Sequence, residues 1–254
     1  GDRTDRMGRE ELRDLAQHVA TTDCFALRRG IAWRFLGPYF TAAVQSDPNA
    51  SRTAALAMLD AWDGHFVAGG SSQWVAGTLK ADAWVLAEEW AREVIKLTFE
   101  DELGARATPS GTLLNVLLHG LKGSGSGIVN KVDWFADRSA SGKPTTANGL
   151  IVLALDNALA RLGAQPWDQP RGTIAFNHTL IGKVWEIPYA SRSTYAHCME
   201  YGPNGPTRIE SMFPLGESGT ILMSGQGTPV FDANFFSMAP YFDAFTPRTY
   251  PLFP

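Results

Sequence analysis

From residue 10 to residue 162, apolar residues keep recurring every three or four positions, the spacing that lines one face of an α-helix. Leu12, Leu15, Ala16 and Val19 predict a helix over residues 10–19. Ala26, Leu27, Ile31 and Leu36 predict a second, capped by Thr22 or Asp23 and interrupted near its end at Gly37-Pro38. Asp47-Pro48-Asn49 reads as a turn. A short helix over residues 52–62 follows and ends at Asp63-Gly64. The longest helical run is 79–103, with Ala83, Leu86, Trp90, Val94 and Leu97 on one face and Glu88, Glu89, Arg92, Glu93 and Lys96 on the other. Pro109 and Ser110 open a helix through Leu118, and residues 147–162 form another, closed by Gly163.

The period then changes. Residues 172–178, 195–201 and 207–213 are short, rich in β-branched and aromatic side chains, and separated by Gly/Pro turns, so they predict strands. Helices first and strands second is an α+β arrangement. We read residues 1–163 as the mainly helical part and residues 164–254 as strands with a C-terminal tail, both within one larger domain. The tail is irregular and aromatic. Phe231, Phe235, Phe236, Tyr241, Phe242, Phe245, Tyr250 and Phe253 stud a stretch broken by several prolines. Such a segment cannot build its own core and is expected to lie on a larger body.

Composition sharpens this only modestly. Of 254 residues, 44% are hydrophobic and 19% charged, which is globular rather than disordered. The net charge of −4 comes from mixed signs, and nothing in it points to a nucleic-acid or polyanion partner. No run of 18 apolar residues predicts a membrane span. No signal peptide is visible, and Gly1 in place of Met leads us to expect a cut, natural or experimental. Cys24 and Cys198 are read as structural thiols, with one long-range disulfide as the alternative.

Local chemistry is sparse. His18, His65, His119, His178 and His197 show no paired metal-ligand spacing, and no CxxC occurs. Lys122-Gly123-Ser124-Gly125-Ser126-Gly127 lacks the Gly-Lys-Ser/Thr ending of a phosphate loop and reads as a flexible loop. Two acids stand apart: Glu200 inside an apolar strand, and Glu217 in a Gly-rich turn. An outward Glu200 is merely solvated, whereas an inward one requires a His or Arg partner.

Several segments together carry a resemblance. Glu10-Glu11-Leu12 through Asp23, followed by Ala26, is similar to a helix pair with Asp in its connection. Leu59-Asp60-Ala61-Trp62-Asp63-Gly64 is similar to an L-x-x-W-D-G stretch. Val132-Asp133-Trp134-Phe135 and the Phe176-Asn177-His178 strand end are later landmarks. Ser193-Thr194-Tyr195, Met199-Glu200 and Gly216-Glu217-Ser218-Gly219 complete the run. In this order they resemble the C-terminal part of the β chain of the penicillin amidase (penicillin acylase) family of N-terminal-nucleophile hydrolases, over nearly the whole chain. The family's usual S-P-H-Y-x-D-Q ending is replaced here by Phe231-Asp232-Ala233-Asn234-Phe235-Phe236-Ser237-Met238, which fits a divergent subfamily.

The resemblance implies an αββα sandwich, built from a zymogen that cleaves itself into α and β chains and works as a periplasmic or secreted heterodimer. It implies acyl transfer from an amide to water through an acyl-enzyme on an N-terminal Ser. Antibiotic β-lactam side-chain amides and acyl-homoserine lactones are candidate substrates. That Ser, its amine and the oxyanion Asn would precede Gly1, so this chain alone is expected to be inactive. The partners are then the α chain and the N-terminal part of the β chain of the same precursor, with a small-molecule amide as substrate and no nucleic acid. No cofactor is implied, and any structural calcium would be bound elsewhere in the assembly. The one catalytic role that transfers falls on Glu200, as an acid orienting a histidine near the nucleophile. The alternative is a non-catalytic fragment that only completes its partner's fold.

Overall fold

A computed structural model describes residues 8–22, 31–70, 78–179, 181–190, 196–216 and 220–252. The predicted cap at Asp23, Ala26, Leu27, Cys24, the Ser193-Thr194-Tyr195 landmark, Glu217 and Phe253 fall outside these residues. The architecture is α+β. The chain divides into two compact units that do not follow chain order, one of Asp23–Phe66 and Lys80–Gln169, the other of Gly1–Thr22, Val67–Leu79 and Pro170–Pro254.

The first unit is helical. It holds α2 (Ile31–Ser46), α3 (Ala50–Ala61), α4 (Asp82–Leu103), α5 (Gly111–Lys122) and α6 (Ala147–Leu162). Its centre is α4, flanked by α6, which also packs on α2. Trp90 is fully buried, donates Nε1–H to the Ile151 carbonyl at 2.8 Å and lies 4.5 Å from the Phe40 ring. Val85, Ala87, Ala91, Ile95 and Phe99 are buried as well, so α4 is apolar around most of its girth. Glu93, expected on the wet face, is buried and tied to Asn157 and Arg161 at 3.0 and 3.1 Å. Two further expectations change here. Pro38 does not interrupt α2, because packing of Leu36, Phe40, Ala43 and Val44 carries the helix past it. The start of α4 moves to Asp82, since Leu79 is spent on a β-bridge with Pro170 within the other unit.

Side-chain caps set the helix starts. Asn49 accepts from the Arg52 N–H, Ser110 from Leu113 and Thr146 from Gly149. The glycine-rich run after α5 is a single tight turn over Gly123–Ser126 that follows a helix rather than a strand. The Trp-Asp-Gly landmark is also a turn. Trp62 donates Nε1–H to the His65 carbonyl, Asp63 accepts the His65 N–H, and Gly64 takes φ +89°, a conformation that disfavours any Cβ.

The second unit joins α1 (Arg9–Thr21) to the strands. β1 (Thr173–His178) and β2 (Gly182–Pro188) form an antiparallel ribbon with a bulge at Phe176/Asn177. β3 (Ala196–Gly202) and β4 (Gly205–Met212) form a hairpin, and β7 (Arg248–Tyr250) adds to β4 to give the order β3-β4-β7. β5 (Ile221–Met223) and β6 (Pro229–Phe231) make a small second ribbon. The C-terminal stretch therefore carries regular pieces, including the five-residue helix α7 (Ala239–Asp243). It packs on this chain's own strands. Phe242 and Phe245 join Ile187, Met212 and Ala20 in one core, and Trp185 stacks 4.9 Å from Phe236 within a Phe231, Phe235 and Phe236 cluster.

Gly216, first residue of the last landmark, is required by close approach. A Cβ there would land on the Asn234 carbonyl oxygen and 2.8 Å from that of Phe235.

Candidate functional site

Alternation along β3 puts Cys198 and Glu200 on one face, and the register places them opposite Glu210 and Arg208 of β4. Helix α1 packs on β3. Its first turn supplies Arg9, which reaches Glu210 at 2.8 Å. Arg208 approaches the same carboxylate at 2.6 Å, and the Thr249 hydroxyl from β7 donates to it at 3.1 Å. Glu210 is thus a buried carboxylate, its side chain 6% exposed, held by three donors from three elements. Burial works against its charge, but the hydrogen bonds from Arg208, Thr249 and Arg9 outweigh it and hold its pKa below the ordinary glutamate value.

A pocket of about 220 Å³ opens between α1 and this sheet. Arg9, Arg13 and Arg208 surround it, and Leu12, Met212 and Phe245 give it an apolar floor. Arg9 also pairs with Glu10, and Arg13 reaches Glu10 at 2.7 Å. Cys198 lines the pocket as a free thiol. Burial, then the charges of Glu210 and Glu200, push its pKa up, so it is a poor nucleophile at neutral pH.

Glu200, the one site residue read from sequence, is half-buried on this face of β3, opposite Arg208. Its charge adds to the field that raises the Arg9 pKa, against the opposing effect of burial and alongside Glu210 and Glu10. His197 has the opposite strand parity, and its Nδ1 meets the Ser211 hydroxyl at 3.4 Å. The structure therefore brings Glu200 together with arginines. Glu210 was not singled out in the sequence, although the alternating Arg208-Ile209-Glu210 pattern places an Arg and a Glu on one face. Among the described residues, no group of three or more His, Cys, Asp and Glu is arranged to hold a metal. No helix among them is long and apolar enough to cross a membrane.

The sequence model described as Penicillin amidase matches residues 2–242. The chain belongs to the penicillin amidase family. A thermostable penicillin G acylase from Alcaligenes faecalis is similar in structure, with a TM-score of 0.71 and 21% identity. The similarity covers 98% of this chain and 47% of that one, so the chain spans about half the length of the acylase it resembles. No curated protein sequence matches the chain. Within the penicillin amidase family the other landmarks take on structural roles here. Trp134 packs 5.2 Å from Phe99, and a Cβ on Gly120 would touch the Phe135 ring at 3.4 Å.

Proposed function

We propose that this chain is the C-terminal part of a penicillin-acylase-like amide hydrolase. The observation that carries the reading is the family match over residues 2–242, with which the acylase-like fold agrees over 98% of the chain. In this reading both parts of the chain, residues 1–163 and 164–254, belong to one larger αββα body completed by the α chain and the N-terminal part of the β chain. The nucleophilic Ser stands at the head of that β chain. Its α-amine, with a pKa near 8, accepts the hydroxyl proton. Backbone N–H and Asn donors stabilise the tetrahedral oxyanion, the amine leaves, and water releases the acyl group. This chain supplies scaffold, and Glu200 orients a histidine near the nucleophile. The precursor is processed autocatalytically in the periplasm or outside the cell.

The experiment is expression of the whole precursor, mass measurement of its products, and assay on benzylpenicillin and a panel of chromogenic N-acyl anilides. The expected result is a β chain beginning with Ser and hydrolysis that disappears when that Ser is replaced by Ala. An uncleaved precursor that turns over no amide sinks the proposal. Glu200→Gln in the same precursor is expected to lower kcat and move the pH profile, and an unchanged profile removes Glu200 from the site.

A further inference from the structure

The pocket between α1 and the β3-β4-β7 sheet has an unbalanced hydrogen-bonding inventory. Among the described residues, Arg9, Arg13 and Arg208 line it with Glu10 and Glu210 as the carboxylates. Each guanidinium carries about five N–H donors and no acceptor. Glu210 already takes Arg9, Arg208 and Thr249, all three at Oε1. Glu10 is engaged by Arg9 and Arg13. Arg13 keeps 46% of its side chain in solvent and presents only Nη2 to its acids. Among the described residues the lining is thus rich in donors, with three guanidinium groups against two carboxylates. Beneath the charges lies an apolar floor in which Met212 and Phe245 are 2% and 8% exposed.

We propose that this pocket binds a small carboxylate with a hydrocarbon body. The carboxylate takes the spare donors of Arg13 and Arg208, for which planar two-point pairing is the natural geometry. The chain of the ligand lies against Leu12, Met212 and Phe245. A volume of about 220 Å³ has room for a medium-length acid.

The test is titration of octanoate into the protein in its full precursor context, read by calorimetry and by alkylation of Cys198 at alkaline pH, mapped by peptide mass. Octylamine serves as the charge-reversed control and sulfate as the headgroup alone. Octanoate is expected to slow Cys198 alkylation and to bind at least fivefold more weakly to Arg13→Ala, a substitution of a half-exposed side chain that leaves Glu210 untouched. Octylamine is expected not to compete, and sulfate to bind more weakly than octanoate. Equal binding of octanoate and octylamine shows simple apolar uptake and overturns the proposal. Unchanged affinity in Arg13→Ala also overturns it, as does no binding at all, the result if a segment of the precursor fills the pocket. Binding and alkylation are read without amide turnover, so they stand or fall separately from the hydrolase reading.

Discussion

Asp101 and Glu102 stand side by side in the last turn of α4, where no basic residue offsets the negative end of the helix dipole. The loop before α6 provides the missing charge. Lys143 reaches Asp101 at 2.7 Å and the Leu97 carbonyl at 2.8 Å, and the Arg138 N–H donates to Asp101. Glu102 is left worse placed. Arg138 Nε stands 3.0 Å away, yet neither buried carboxylate oxygen has a well-aligned hydrogen bond. Burial, then the neighbouring Asp101, raise its pKa above 4.5. A raised folded value means its contribution to stability is full below 4.5 and is lost as pH rises through the higher, folded value. Glu102→Gln should therefore stabilise the protein at neutral and alkaline pH. Urea unfolding at a series of pH values should show the gain vanish in acid. Lys143→Met should have the opposite sign, costing about 3–5 kcal/mol, because it strands the buried Asp101 carboxylate. Glu210 differs again. Its lowered pKa gives stability that is full above 4.5 and falls away as pH drops through the folded value. Glu210→Gln should accordingly flatten the acid limb of the stability curve.

At the scale of elements, periodicity worked wherever a helix had a wet face and a dry one. It located α1, α3, α5 and α6 to within a few residues of their observed bounds. It misjudged Pro38, because the cost of a helical proline is set against burial of residues around it, which a local pattern does not register. Pro38 is exposed, so Pro38→Ala removes little packing and restores an amide donor. It should raise stability by up to about 3 kcal/mol in thermal unfolding. Asn49→Ala should cost about 1 kcal/mol through loss of the cap on α3. The short strands β5, β6 and β7 were not legible. Each has three residues, too few for a period of two to show, and each exists only because a partner segment comes alongside. The glycine at 216 is a related case. It was visible as a motif, but its reason, the backbone of Asn234 and Phe235 lying against it, is a long-range contact.

For the whole molecule, the main surprise is the path of the chain. Helix α1 belongs with the strands, and Arg9 meets Glu210 across 201 positions. The aromatic ending, expected to lie on a larger body, packs on strands of this same chain and contributes β7 to the sheet that forms the pocket. A version of the precursor that stops after Pro247 should lose the β7 pairing to Ile209, Glu210 and Ser211 and the Thr249 donor to Glu210. Hydrogen exchange should report lost protection at those three residues. Protection that survives would mean β7 does not hold the sheet edge.

By itself the sequence determined the helical face patterns, the α+β order, the family, and Glu200 as a strand acid worth notice. These rest on residues close together in the chain or on ordered landmarks, where one-dimensional information suffices. Only the tertiary structure decided that Glu210 is a buried carboxylate, that arginines from α1 and β4 surround it, and that the tail completes its sheet. Those outcomes depend on which distant segments share a desolvated space, and burial of a charge becomes tolerable only where donors from three elements converge on it.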